Sequence, residues 1–160
     1  MCIHKASSHG VFVMLYGKGV LVTGKPGVGK SQLVLALLDR GHHLIADDLV
    51  LLMEKTKGKV WGQGVENYQG FLAVRDVGIF DINQLYPSQV AKSAPLELII
   101  DLYDAPIDLA FSCNHDVEAI STTTTVLGCQ ILTYKVSAQA NRPLALLLEC
   151  ILRRDLLEYR

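Results

Sequence analysis

Gly24, Lys25, Pro26, Gly27, Val28, Gly29, Lys30 and Ser31 fit the pattern G-x-x-x-x-G-K-[ST] with every position present. The glycines at 24, 27 and 29 allow backbone conformations and close approaches that a Cβ forbids, so successive N–H groups can converge on one anion. Lys30 has the reach for the β- and γ-phosphates of a nucleotide, and Ser31 offers a hydroxyl to Mg²⁺. The chemistry is the cradling of a nucleotide or polyphosphate. A glycine turn with a capped helix and a surface lysine is the bland reading of the same residues, and the flanks decide against it.

Ahead of the loop runs Gly19-Val20-Leu21-Val22-Thr23, an apolar, β-branched segment that predicts a buried strand. Behind it Gln32 to Arg40 is rich in helix formers and is closed by Gly41. The loop therefore lies between a strand that holds it and a helix whose N-terminal N–H groups and dipole face the phosphates. A second chemical feature is Asp47-Asp48, two adjacent carboxylates between the apolar runs 44–46 and 49–53. By spacing alone they read first as a solvated turn and second as acid/base groups at a strand end.

The chain of 160 residues fits one domain, 1–160, with a single sizeable core. Half of it is apolar and 19% is charged, which is globular composition. A net charge of −1 points to neither a nucleic-acid nor a membrane-surface partner. Cys2, Cys113, Cys129 and Cys150 have no C-x-x-C spacing, so reduced thiols and a cytoplasmic location are expected. Neither a signal peptide nor an apolar run of membrane-spanning length is found.

In chain order, His9 to Tyr16 reads as a strand that turns at Gly17-Lys18-Gly19 into the strand feeding the loop, an antiparallel hairpin. Residues 41–53 read as a strand ended or interrupted at Asp47-Asp48, so a strand–helix–strand unit holds the phosphate at its turn. Residues 54–64 read as a loop or hairpin. Phe71 to Ile82 alternates too irregularly for a plain strand, with a bend or bulge at Gly78. Pro95 to Tyr103 is a strand, and further strands are expected within 117–126 and 130–136. The last helix takes Asn141 as N-cap and Pro143 in its first turn, with Leu144, Leu147, Leu148, Ile151 and Leu152 on one face. Trp61 and Tyr68 are expected to pack. Strands outnumber helices, so the fold class is α/β with a mixed, strand-rich sheet, a phosphate loop and few helices.

His9-Gly10-Val11, Tyr16-Gly17, the loop itself, Arg40-Gly41-His42 and Leu44-Ile45-Ala46-Asp47-Asp48 together resemble, in order and spacing, the catalytic domain of HPr kinase/phosphorylase. That family has a fold similar to phosphoenolpyruvate carboxykinase. It uses ATP and Mg²⁺ to phosphorylate a serine of the phosphocarrier HPr, and many members remove the phosphate with inorganic phosphate, releasing pyrophosphate. The resemblance implies Asp47 as the acid/base, with Asp48 and His9 as a supporting pair, Lys30 on the phosphates and Arg142 as a clamp on phosphate oxygens. It implies Ser31 and Asp48 as the metal ligands, an HPr-like partner and assembly as a hexamer.

The sequence departs from the family pattern in three places. Ala73 stands where the family carries the glutamate of its Glu-x-Arg-Gly-x-Gly signature, and Asp76 appears three residues on, a candidate to replace it in part. From the resemblance, a short form without the N-terminal domain of long members is expected, and residue 160 falls short of the helix with which longer members hold the protein substrate and a neighbouring subunit. Two alternatives stay open: a small-molecule kinase using the same loop and Asp47, and an ATP-sensing module without transfer.

Overall fold

The structure is a computed structural model and describes residues 5–105, 121–139 and 142–157. Two adjacent strands open the chain, β1 (Lys5–His9) and β2 (Val11–Leu15), followed by β3 (Lys18–Gly24) and helix α1 (Lys30–Asp39). Three strands come next, β4 (His43–Ala46), β5 (Leu49–Thr56) and β6 (Lys59–Gln63). The hairpin of β7 (Phe71–Val74) and β8 (Gly78–Asp81) leads into the single turn α2 (Ile82–Leu85). The long strand β9 (Ser93–Tyr103), the pair β10 (Ser121–Val126) and β11 (Cys129–Ser137), and helix α3 (Leu144–Asp155) complete it.

The expected hairpin forms, β2 lying antiparallel to β3 from Val11↔Val22 to Leu15↔Lys18. The segment read as one strand from His9 is two, because the chain breaks at Gly10. β1 leaves to pair with β5, while β2 stays between β3 and β4. The main sheet runs β1-β5-β6-β9-β3-β2-β4, and β11 joins β9 in parallel with β10 beside it. β3, β9 and β11 are parallel, and β4, antiparallel to β2, runs with them. Four strands thus deliver their carboxyl ends to one rim of the sheet, and β2 begins there. In sheets of this kind ligands bind at that rim.

Sequences such as Val11-Phe12-Val13-Met14-Leu15 are apolar throughout because both sheet faces are covered. Val11, Val13, Val20, Val22, Leu98 and Ile100 pack under α1 and α3. Phe12, Leu21, Ile99, Val50, Leu52 and Val60 build a second core on the other face. There β6 crosses above β2 so closely that a methyl group at Gly62 would enter the ring of Phe12.

α1 buries Leu33, Val34, Leu37 and Leu38 and ends as foreseen at Gly41. Gly41 at φ 92° lets its N–H donate to Leu38 O (2.9 Å) and the His42 N–H to Leu37 O (3.0 Å), a Schellman motif. α3 begins later than expected. Its N-cap is Pro143, whose carbonyl accepts from the Leu147 N–H at 3.0 Å, and Asn141 lies outside the described residues. Arg142, which precedes Pro143 and is thereby disfavoured as a helical residue, donates to Ser137 O at 3.1 Å.

Phe71 to Ile82 is a two-stranded hairpin with its own small sheet, turned at 75–77 rather than bent at Gly78. Leu72 and Val74 point into the helix-side core. Tyr68, expected to pack, is 72% exposed. The threonine run lies in β10 with Thr122 to Thr125 exposed, and residues 117–120 fall outside the described residues. Among the described residues the cysteines, Cys129 and Cys150, are free, and no helix is long and apolar enough to cross a membrane.

α1 and α3 are joined by a buried carboxylate. Glu149 is 3% exposed and accepts from Arg40 Nε and Nη2, both at 2.6 Å, with His42 Nε2 at 2.8 Å from its Oε1. The Arg40 hydrogen bond, helped by His42 and opposed by burial, lowers the Glu149 carboxyl from 4.5 to about 2. A depressed folded-state value stabilises the fold above the unfolded value and ceases to do so as pH falls through the folded one.

Glu149→Gln should lower Tm at neutral pH and remove the part of the acid destabilisation that wild type shows between pH 4.5 and about 2, read by thermal melts across that window. Gly62→Ala should cost about 1–3 kcal/mol in urea unfolding, with no change in m, because the Phe12 ring has nowhere to move.

Candidate functional site

The phosphate loop joins the carboxyl end of β3 to the start of α1. Gly24, Gly27 and Gly29 have φ of 147°, 83° and 114°, which side chains rarely tolerate. A Cβ on Gly24 would also press against Leu102 O, so the loop starts tight against β9. The Thr23 hydroxyl donates to Asp101 Oδ1 at 3.1 Å, steadying the residue before the loop. Gly29 is the N-cap of α1, with no side-chain cap and no acidic residue in the first turn. The Leu33 N–H donates to Gly29 O at 3.1 Å, so the N–H groups of Lys30, Ser31 and Gln32 precede the first turn's closing bond. Lys30 curls over the loop and donates to Gly24 O (2.5 Å) and Lys25 O (3.2 Å).

The paired aspartates sit at the end of β4. Leu49 N–H donates to Asp47 O at 2.9 Å across Asp48, whose φ is 70°, a three-residue turn that interrupts the chain between β4 and β5, two strands that run in the same sense. Such strain in a non-glycine residue is typical of functional sites. Asp47 is half-buried and Asp48 exposed. Asp47 Oδ2 accepts from the Ala73 N–H at 3.0 Å. Burial pushes the Asp47 carboxyl above its ordinary value, while the N–H groups of Ala73 and Asp48 and the charge of Lys30 pull it back and Asp48 adds to the rise. A carboxylate so placed, with one oxygen held by a main-chain donor, can take a proton from a hydroxyl brought to the loop.

His9 reaches the same rim. It ends β1 opposite Leu49, and the Gly10 N–H donates to Asp48 O at 3.0 Å. The structure therefore brings together Gly24 to Ser31, Asp47, Asp48 and His9. It does not bring in Arg142 by any contact to the loop. Arg142 is held on Ser137 O at the end of β11, and β9 separates β11 from the loop strand.

Ser31 and Asp48 offer one hydroxyl and one carboxylate. Among the described residues no group of three or more His, Cys, Asp or Glu is placed to hold a metal ion. Such a sparse donor set fits Mg²⁺, which keeps several waters and shares nucleotide phosphates, and does not fit an all-protein cage.

The signature stretch was expected at the site through Ala73 and Asp76; that it folds as the β7–β8 hairpin was not foreseen. Ala73 contributes its main-chain N–H to Asp47, and its side chain is exposed. Arg75, one residue beyond β7, lays its guanidinium against Gly27, so closely that a methyl group there would strike Nη1. Asp76 occupies the turn at φ 66°. The signal for Arg75 was its place in the signature stretch; nothing in the local sequence says that the hairpin folds onto the loop.

The pattern described as the HPr Serine kinase C-terminal domain matches residues 2–159. The chain is 36% identical over 153 residues to the HPr kinase/phosphorylase of Bordetella pertussis, covering 95% of this chain and 49% of that protein. It is 35% identical over 150 residues to that of Streptococcus thermophilus, covering 91% and 46%. It thus spans about half the length of these curated relatives. The structure of the Hpr(Ser) kinase/phosphatase from Coxiella burnetii matches with a TM-score of 0.82 at 28% identity, over 93% of this chain and 89% of that one. A strand-rich sheet with few helices, a loop of this geometry and the extent of these matches lead to one conclusion: the chain belongs to the HPr serine kinase C-terminal domain family.

Proposed function

We propose that the chain is an ATP- and Mg²⁺-dependent protein-serine kinase whose substrate is the phosphocarrier HPr or a homologue, and that the same site runs phosphorolysis in reverse. The observation that carries this reading is the Asp47 carboxylate, half-buried, oriented by the Ala73 N–H and under the charge of Lys30 in the phosphate loop. Family membership supports the carrier as substrate. The reading takes residues 1–160 as one catalytic domain that acts in the cytoplasm and assembles as a hexamer.

In the forward direction Asp47 takes the proton of the serine hydroxyl as its oxygen attacks the γ-phosphorus, and the bond to the bridging oxygen breaks to leave ADP. In reverse, inorganic phosphate attacks the phosphoserine phosphorus, the serine oxygen leaves with the proton returned by Asp47, and pyrophosphate is released. The loop N–H groups and Lys30 hold the phosphates, and they are preorganised so that little rearrangement accompanies the transfer. Ser31 and Asp48 would hold Mg²⁺, which would supply charge neutralisation on the phosphate oxygens. His9, beside Asp48 on the rim, supports the carboxylate pair, and Arg142, whose Nη1 donates to Ser137 O, has its other guanidinium donors for phosphate oxygens. Ala73, which lacks the family carboxylate, favours a second reading in which nucleotide binds without transfer.

Asp47→Asn should reduce transfer from γ-labelled ATP to a carrier serine by about 10³-fold while nucleotide binding persists, read as acid-stable phosphoserine and by titration with ADP. Wild-type protein that labels no carrier would sink the kinase reading, and label on a small metabolite alone would favour a small-molecule kinase. Ala73→Glu should raise activity at limiting Mg²⁺, seen as a lower Mg²⁺ concentration for half-maximal rate; an unchanged curve means that water or Asp76 already fills the role.

A further inference from the structure

We infer that the cleft where the main sheet forks, between the β5–β6 and β10–β11 turns, binds a free aliphatic α-amino acid. This site is separate from the phosphate loop and does not depend on the proposed transfer reaction. The cleft has a volume of about 310 Å³. Its origin lies in the register of β9. Pairing with β6 ends at Pro95, pairing with β11 begins at Leu98, and opposite β3 the register steps from Leu96 to Leu98 and skips Glu97. A bulge of this kind bends a strand and re-aims its side chains. The two neighbouring hairpins part there, and their turn residues Gly58 and Gly128, both at φ 81°, stand on either side of the opening. Neither glycine has a side chain to close the entrance.

The lining sets the chemistry of the ligand. Val60, Leu96 and Ile131 of the second core form the floor, and the lip carries Lys59 and Glu97 with Nζ 3.1 Å from Oε1. An ammonium has three donors and a carboxylate about four acceptor sites, so the pair keeps capacity for a partner of each sign. The N–Cα and Cα–C bonds hold the two charges of an α-amino acid roughly 3 Å apart, which matches the spacing of the lip's own charges. Laid antiparallel to the lip, the ligand sets its carboxylate on Lys59 and its ammonium on Glu97, and its side chain turns to the apolar floor. Other metabolites fit less well. The volume is at the small end of ligand pockets, which run from roughly 300 to 1,000 Å³, and Glu97 repels a phosphate. Glu97 and Leu102, whose carbonyl meets the start of the phosphate loop, are separated by on the order of 15 Å of strand, so an occupied cleft leaves the nucleotide site open.

The test titrates the intact chain with L-leucine by calorimetry, beside 4-methylpentanoate, 3-methylbutylamine and glycine, which lack its ammonium, its carboxylate and its side chain. L-leucine should bind saturably with a Kd of about 1 mM or tighter. Each analogue should bind at least about tenfold more weakly. Lys59→Met and Glu97→Gln, changed at the lip, should each weaken L-leucine at least about tenfold with Tm little altered. Cys129 is half-buried in the cleft, whereas Cys150 is exposed on α3. Saturating L-leucine should therefore slow alkylation of Cys129 by iodoacetamide at least about threefold and leave Cys150 unchanged, read by peptide mass mapping. No saturable binding of L-leucine up to about 10 mM, analogue affinities within about threefold of it, or an unprotected Cys129 would overturn the assignment. Should either variant fail to fold, the analogue series and the alkylation decide on the wild-type chain. None of these readouts uses nucleotide or carrier, so their failure leaves the kinase reading untouched.

Discussion

The close approach at Gly10 is the constraint on which the site depends. A Cβ at this residue would collide with Val22 O, and its φ of 157° separates β1 from β2. Its N–H donates to Asp48 O at 3.0 Å, so the start of β2, the end of β3 and the turn after β4 are held within one hydrogen bond of each other. That contact lets His9 leave the main hairpin and pair with β5 and brings the Asp47-Asp48 turn to the rim where the phosphate loop begins. The remaining strands supply the frame that makes such a close approach affordable.

The charges at this rim follow from how few are neutralised by the protein. Lys30 is satisfied by the carbonyls of Gly24 and Lys25, which are weak partners for an ammonium beside the uncapped N–H groups of α1. Asp47 is desolvated, yet its Oδ2 is taken by a main-chain donor rather than by a cation in contact. Opposite charges are thus kept near each other without collapsing into a salt bridge, and each is left able to act on a third group. The contrast is Glu149, which is paired with Arg40 and His42 and whose carboxyl is held well below its ordinary value.

That second cluster steadies the first through α1. The helix presents its N-terminus to the phosphate loop, while its far end is fastened by the Schellman turn, by Glu149 of α3 and by Gln89, which donates to Leu38 O and His42 O. Arg153 over the Tyr16 ring and Tyr16 against His42 extend the fastening to the β2–β3 turn. A helix anchored at one end and open at the other gives a fixed direction to the N–H groups that face the anion.

By itself the amino-acid sequence determined the phosphate loop, its strand and helix, the β2–β3 hairpin, the stop at Gly41 and the long strand β9. Each is local: a glycine where the backbone must turn left-handed, an apolar run where both faces of a strand are covered, a helix former where nothing else is asked. The break at Gly10 was hidden, because a glycine between apolar residues looks the same whether the chain continues or divides. α3 starts at Leu144 rather than two residues earlier because Pro143 disfavours a helical conformation at Arg142 before it. Only the tertiary structure decided that Ala73 serves through its main chain, that Arg75 lies on Gly27 and that Glu149 meets Arg40. Those contacts join residues 26, 48 and 109 positions apart, and a sequence carries no local trace of a distance that is closed only when separate elements share one core.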